Sequence, residues 1–210
     1  MPLDSLITFI IASTVLGLAP GPDNLFVLAQ SALFGKKAGV LVTLGLMTGL
    51  IVHTTAVALG VAVIFQTSMI AFTALKIIGA LYLLYLAWQA LRAPADTFDA
   101  GQPKRRSNLA LYRRGILMSS TNPKVSMFFL AFLPQFASPE YGALAPQIFI
   151  LGALFMAVSL VLFSAIAMLA GALGEWLNRS AKAHLYLNRI TGLVFIGLAL
   201  KLLTAKNTPE

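Results

Sequence analysis

The sequence predicts an all-α polytopic membrane protein with six transmembrane helices, arranged as two inverted three-helix repeats in which helices 1 and 4 are broken. Of its 210 residues, 59% are hydrophobic and only 10% are charged, whereas soluble domains carry roughly a quarter charged residues. No charged residue lies between Lys37 and Lys76, or between Glu140 and Glu175. Uncharged apolar runs longer than about 18 residues are typical of membrane-spanning helices.

Six apolar segments define the predicted helices, at about 3–33, 40–64, 69–91, 110–134, 145–173 and 184–204. We expect the first to bend at Pro20 and Pro22 and the fourth at Pro123, because proline lacks an N–H and clashes with the preceding helical turn. The longest polar connection lies between helices 3 and 4 and has the composition of a flexible linker. The predicted division is therefore a first repeat at 1–91, a cytoplasmic linker at 92–109 and a second repeat at 110–210.

Weak internal similarity relates the two halves. Lys76-x-x-Gly79-x-x-Tyr82-Leu83 in the third helix parallels Arg189-x-x-Gly192-x-x-Phe195-Ile196 in the sixth, and Pro22-Asp23 parallels Pro123-Lys124. Because each half has an odd number of helices, the two halves are predicted to be inverted in the membrane.

The basic residues predict the orientation of the chain. Eleven of the fifteen Lys and Arg residues fall on one predicted side. They are Lys36, Lys37, Arg92, Lys104, Arg105, Arg106, Arg113, Arg114, Arg179, Lys182 and Arg189. The positive-inside rule places this side in the cytoplasm and both termini on the outer side of the membrane.

The first break is the strongest candidate for a binding site. Ala19-Pro20-Gly21-Pro22-Asp23-Asn24 combines two prolines with a glycine, which favours an unwound segment over a simple bend. A half-helix that begins near Asp23 offers free N–H groups suited to a carboxylate. The half-helix that ends near Ala19 offers carbonyls suited to an ammonium. A zwitterionic amino acid matches this pair of ends, and the alternative is a kink that serves packing alone.

Two charged residues and one histidine lie within the predicted spans. Asp23 and Lys124 are predicted functional residues, because a charge inside the membrane costs several kcal/mol unless it is paired or hydrated. The alternatives are that Asp23 caps its own half-helix, or that the two residues form a structural ion pair. His53 can serve as a proton relay, since imidazole titrates near neutral pH, or can simply hydrogen-bond a neighbouring helix.

The candidate site residues follow from these arguments. The predicted substrate-binding residues are Pro20, Gly21, Pro22, Asp23, Asn24, Asn122, Pro123 and Lys124. Asp23 and His53 are the predicted proton-coupling residues. Further polar groups near the breaks that could line a cavity are Gln30, Ser119, Ser120 and Ser126.

Several classes of function fit the composition poorly. The absence of cysteine excludes disulfides, cysteine zinc sites and thiol redox relays, and we expect neither a metal nor a cofactor. The basic residues flank apolar spans and form no separate basic domain, so no nucleic-acid partner is expected. An enzyme is disfavoured because it would need a nucleophile and a base, or several metal ligands, at one depth in the membrane. His53 with Asp23 is the one weak candidate for a catalytic pair, and His184 is predicted to lie near a loop. A channel or a scaffold protein is the remaining rival class.

Taken together, these motifs resemble the LysE/RhtB family of amino-acid exporters. The resemblance rests on Pro20-Gly21-Pro22, the glycine-rich second helix with His53, Gly79-x-x-Tyr82-Leu83 and Asn122-Pro123-Lys124, and it runs from about Leu6 to Leu203. It implies efflux of amino acids or their derivatives across the bacterial inner membrane, driven by the proton gradient. The implied partners are an amino-acid substrate, protons and the lipid bilayer, and stripes of small residues allow a homodimer.

The substrate is not defined by the resemblance. A cationic amino acid is hard to place beside Lys124 unless Asp23 offsets the charge, so neutral substrates such as threonine, homoserine or leucine are favoured. The alternative is export of another small solute.

Overall fold

The computed structural model describes residues 1–67, 69–93, 106–179 and 181–204, and this part of the chain is mainly helical and contains no strand. The eight α-helices are α1 (Leu3–Leu18), α2 (Pro22–Phe34), α3 (Lys36–Thr67), α4 (Met69–Arg92), α5 (Asn108–Thr121), α6 (Pro123–Met127), α7 (Leu144–Arg179) and α8 (Ala181–Thr204). A π-helical turn at Phe128–Phe132 continues α6, and 3₁₀ turns follow at Leu133–Phe136 and Pro139–Tyr141.

The predicted helical membrane fold with two broken helices is confirmed. Four segments are long and apolar enough to cross a bilayer, namely Lys36–Gly60, Thr73–Arg92, Leu144–Ala170 and Leu185–Thr204. In addition, the chain bends by 59° between α1 and α2, and by 47° between α5 and the segment Pro123–Phe136. The number of spans is six if each bent pair crosses the membrane once. Most of the predicted linker lies outside the described residues.

The prolines explain where the first helix breaks. Pro20 and Pro22 have no N–H to donate to the carbonyls of Leu16 and Leu18, four residues earlier, and α1 ends at Leu18. The chain then passes through Gly21 in an extended conformation, and α2 begins at Pro22. Proline suits this first helical position because its fixed φ is already helical and its missing N–H would have had no partner.

Glycines bring α3 and α5 into close contact. A Cβ at Gly45 would clash with the carbonyl oxygen of Tyr112, and a Cβ at Gly49 would lie 2.5 Å from the Cβ of Ser119. Position 45 therefore faces 112 while position 49 faces 119, so the two helices run parallel. Helix α3 begins with the exposed Lys36 and Lys37, and α5 carries the exposed Arg113 and Arg114 in its second turn. The end of the bundle at which α3 and α5 begin is called here the basic end.

Helices α4 and α8 form a second close pair, and α7 joins the remaining helices. Gly79 of α4 lies against Leu202 of α8, and Gly192 of α8 lies against Leu91 of α4, so these helices run antiparallel. α7 packs on α1, α2 and α3. The inverted repeat and its boundaries stay a prediction, with which these contacts are compatible.

The protein core differs between the two ends of the bundle. Away from the basic end, phenylalanine rings pack with centroids 5.0–6.2 Å apart. They belong to the phenylalanine cluster Phe9, Phe128, Phe129, Phe132, Phe136 and Phe155. Towards the basic end the buried cluster is mainly aliphatic, and it consists of Val27, Ala38, Val42, Leu46, Leu111, Phe163 and Ala167.

Candidate functional site

Carbonyl groups at the end of α1 accept hydrogen bonds from side chains of α2 and α6. The Lys124 ammonium donates hydrogen bonds to the carbonyls of Ala19, at 3.0 Å, and Leu16, at 3.4 Å. The Leu16 carbonyl is one that Pro20 leaves without its helical donor. Asn24 Nδ2 donates to the Gly17 carbonyl at 2.7 Å. In the membrane such freed backbone groups need a protein partner, and Lys124 and Asn24 supply it.

Gly21 makes room for the Lys124 side chain. A Cβ at position 21 would lie 2.9 Å from Lys124 Nζ, which is closer than Cβ atoms normally approach other heavy atoms. The backbone of Gly21 is extended and available to any residue. A side chain at position 21 would therefore displace the Lys124 ammonium from its place beside the carbonyls of α1.

At the second break, too, a carbonyl freed by a proline accepts a hydrogen bond from a side chain. Pro123 cannot donate to the carbonyl of Ser119, and this carbonyl instead accepts the Nε2–H of His53 at 2.9 Å and the N–H of Asn122 at 3.2 Å. Because a carbonyl only accepts, Nε2 carries a proton in this arrangement, and Nδ1 is the nitrogen left to take up another. The Asn122 side chain then caps α6 by accepting the N–H of Lys124 at 3.0 Å.

Asp23 is buried, and one of its two carboxylate oxygens has a hydrogen-bond partner. Its Oδ2 accepts a hydrogen bond from Asn122 Nδ2 at 2.7 Å, which ties the two breaks together. Its Oδ1 receives none from any residue that the structure describes. Gly21 precedes α2, and no side chain caps this helix with a hydrogen bond. Asp23 lies instead in the first turn of α2, where a negative charge favours the helix dipole.

Asp23 and Lys124 line one small cavity without pairing directly. Within the described chain, Lys124 bonds to carbonyls and Asp23 bonds to Asn122, and no ion pair joins the two. About 20 Å³ of the cavity is open to the centres of water molecules, which is room for one or two waters. The lining residues are Leu16, Gly17, Asp23, Leu46, Leu50, Ser119, Lys124, Val125, Phe155, Ser159 and Phe163.

The structure distinguishes the predicted site residues by location. Asp23 and Lys124 lie at the cavity, Asn122 and Asn24 hold the broken segments, and Gly21 gives Lys124 its space. The three prolines do not line the cavity, and Pro22 and Pro123 are exposed, so they act through the backbone that they interrupt. His53 is partly buried and touches the site through the Ser119 carbonyl.

Sequence reasoning missed the contribution of α7. Phe155, Ser159 and Phe163 line the cavity at intervals of four residues, which places them on one helical face. A helix that is apolar on all sides gives no periodic signal of which face points inward. Ser119, which was predicted as a possible lining residue, does line the cavity.

Comparisons with known proteins agree over nearly the whole chain. The family model described as LysE type translocator matches residues 14–206. A homoserine/homoserine lactone efflux protein of Salmonella typhimurium is 33% identical over 201 residues, covering 95% of this chain and 96% of the relative. An uncharacterized membrane protein of Pseudomonas aeruginosa is 32% identical over 205 residues, covering 94% of both chains. No solved structure matches the chain.

Proposed function

Because the chain belongs to the LysE type translocator family, we propose that it is a secondary transporter that exports amino acids from the cytoplasm in exchange for protons. The observation that carries the proposal is the pair of buried, opposite charges at one cavity. Asp23 and Lys124 come from the two broken helices, and neither is neutralised by direct contact with the other. Ionisable residues at helix breaks mark substrate and ion sites in secondary transporters.

In this proposal Asp23 and Lys124 recognise the two charged groups of an amino acid. The free Oδ1 of Asp23 accepts a hydrogen bond from the α-ammonium. Lys124 has three N–H donors and spends two of them on the carbonyls of α1, so the third serves the α-carboxylate. The apolar wall formed by Leu46, Leu50 and Phe155 then surrounds the side chain of the substrate.

Proton exchange follows from competition for one carboxylate. The substrate ammonium and a proton both bind the carboxylate of Asp23, and each weakens the binding of the other. A proton that arrives from the outer side releases the amino acid there, and its departure to the cytoplasm restores the site. His53 is the second proposed proton-coupling residue, acting through Nδ1 because Nε2 is engaged by Ser119.

The described conformation corresponds to a closed state of this cycle. An amino acid does not fit a cavity with room for one or two waters. Helices must therefore separate on one side to admit the substrate, and close before they separate on the other. The proposed site is consistent with alternating access, since it lies at the middle of the spans of α3 and α7.

Neutral amino acids are the proposed substrates, with homoserine first among them and threonine and leucine next. The Salmonella relative is named for efflux of homoserine and homoserine lactone. Both compounds carry the ammonium that Asp23 would bind. We place the protein in the bacterial inner membrane with the basic end in the cytoplasm and both termini outside, as the positive-inside rule requires.

The proposal is tested with purified protein in liposomes loaded with a panel of labelled amino acids. We expect saturable efflux of homoserine or another neutral amino acid, and faster efflux when the external buffer is acidic than when the two sides are at equal pH. The controls are liposomes loaded with the same amino acids that contain either no protein or heat-unfolded protein. Efflux that does not saturate would favour a channel, and retention of the whole panel by folded protein would contradict the amino-acid assignment.

A further inference from the structure

One face of α2 carries polar side chains from the cavity towards the basic end. Asp23, Asn24, Val27, Gln30 and Ser31 are all buried and recur at the spacing of a single helical face. Gln30 is 1% exposed and Ser31 is 5% exposed. With a rise of 1.5 Å per residue, Ser31 lies about 12 Å along the helix from Asp23, close to the point where α2 ends and the basic residues of α3 begin.

Several oxygen atoms on this face lack hydrogen-bond partners in the described structure. Asn24 Oδ1, Gln30 Oε1 and Ser31 Oγ are inaccessible and receive no hydrogen bond from the described residues. Buried polar groups are normally satisfied, so such groups call for an explanation. Simple packing against α3 and α7 would be served better by apolar residues. A conformation in which water or a polar solute reaches this face would satisfy all three atoms.

The closure next to Ser31 is made of small residues. Ser31 packs against Gly39 of α3, where a Cβ would clash with Ser31 Oγ and would lie 2.9 Å from the Cβ of Ala167 in α7. At this contact three helices thus approach one another closely through serine, glycine and alanine. On the other side of the cavity, the rings of the phenylalanine cluster pack closely against one another.

We propose that the polar face of α2 is the wall of the substrate path between the basic end and Asp23, and that the contact of Ser31, Gly39 and Ala167 is its gate. Separation of α2 from α3 and α7 at this contact opens the path, and Gln30 and Ser31 exchange hydrogen bonds with the passing solute. The inference rests on the proposed function for the identity of the solute. The position and sidedness of the path rest on the geometry alone.

Cysteine labelling tests the path directly, because the chain has no native cysteine. Gln30→Cys and Ser31→Cys are made singly, with Leu25→Cys as the matched control on the opposite, outward-facing side of the same helix, where Leu25 is 43% exposed. Vesicles of known orientation are treated with a membrane-impermeant sulfonated thiol reagent. We expect both test cysteines to react at least tenfold faster than the control from the basic end, because thiolates form in water and not in lipid.

The gate is tested by adding Gly39→Ala to the Gln30→Cys variant. The extra methyl group has no room against Ser31 and should hold the gate partly open, so we expect labelling to rise several-fold. An unchanged labelling rate would contradict the assignment of the gate. Each variant is first shown to be folded by its thermal unfolding in detergent, and Ser31→Cys, which changes one atom, provides a second variant should Gln30→Cys fail to fold.

Two outcomes separate this inference from the proposed function. If amino acids move while neither cysteine reacts faster than the control from the basic end, the path is wrong and the exporter assignment stands. If both cysteines react from the basic end while no amino acid in the panel moves, the path stands and the solute is of another class. Reaction from the opposite end alone would also overturn the path.

Discussion

Replacement of Asp23 by asparagine is expected to reduce amino-acid efflux at least ~30-fold without lowering the stability of the fold. Asparagine keeps an oxygen that can accept the hydrogen bond from Asn122 Nδ2, but it has no charge for a substrate ammonium or a proton. A hydrogen bond to a charged group contributes about 2 kcal/mol, which corresponds to a factor of ~30 in rate or affinity. The measurement is initial efflux from proteoliposomes with and without an acidic external buffer.

The stability of the Asp23→Asn variant distinguishes a functional role from a structural one. Removing the Asp23 charge relieves its desolvation cost but leaves the buried Lys124 ammonium without a nearby anion. Because Lys124 keeps its two carbonyl acceptors, we expect the apparent melting temperature in detergent to be about unchanged. Asp4→Asn, at an exposed position of α1, is the matched control and should transport normally. A variant that melts earlier and loses transport in proportion would assign Asp23 to the scaffold. Undiminished efflux with the same dependence on the pH gradient would remove Asp23 from the mechanism.

Replacement of Lys124 by methionine is expected to impair both transport and stability. Methionine fills similar space but cannot donate to the carbonyls of Leu16 and Ala19, and leaving a buried acceptor without a donor costs about 1–3 kcal/mol. For a loss of about 2 kcal/mol, the melting temperature of a protein of this size falls by about 4–8 °C. Efflux should fall at least ~30-fold, because the substrate carboxylate loses its cationic partner.

A double variant shows whether Asp23 and Lys124 act on each other. Without Lys124, the Asp23 carboxylate is a buried charge with no cation beside it, so Asp23→Asn should restore part of the stability that Lys124→Met removes. Lys37→Met, at an exposed position of the basic end, is the control for loss of a positive charge. Strictly additive effects of the two substitutions would show that the two charges do not influence each other in the closed state.

Much of the fold could be predicted from the sequence because its signals are local. Long uncharged runs marked the spans, and Pro20, Pro22 and Pro123 marked the breaks, since a missing N–H has the same effect in any context. The ends of α3 and α7 were predicted less well. Helix α3 begins at Lys36 and α7 ends at Arg179, beyond the apolar limits of 40 and 173, because helices continue into the polar interface past the apolar core.

The site could be predicted only in part, because its contacts join distant segments. Asp23, Lys124 and Asn122 stood out as polar residues at breaks, and the structure brings them together. That Lys124 bonds to the freed carbonyl of Leu16, and that His53 bonds to the carbonyl freed by Pro123, could not be deduced, since both bonds depend on how the two breaks face each other. The sequence left open a direct pair of Asp23 with Lys124, and the closed state does not contain it.

The central claim is that Asp23 and Lys124 bind the two charged groups of an exported amino acid. It is tested most directly by measuring the affinity of the purified protein for homoserine and for two analogues. Aminopropanol keeps the ammonium and lacks the carboxylate, and γ-hydroxybutyrate keeps the carboxylate and lacks the ammonium. The account predicts that each analogue binds at least ~10-fold more weakly than homoserine, that Asp23→Asn abolishes the preference over γ-hydroxybutyrate, and that Lys124→Met abolishes the preference over aminopropanol. Equal binding of all three compounds, or preferences that neither substitution alters, would contradict it.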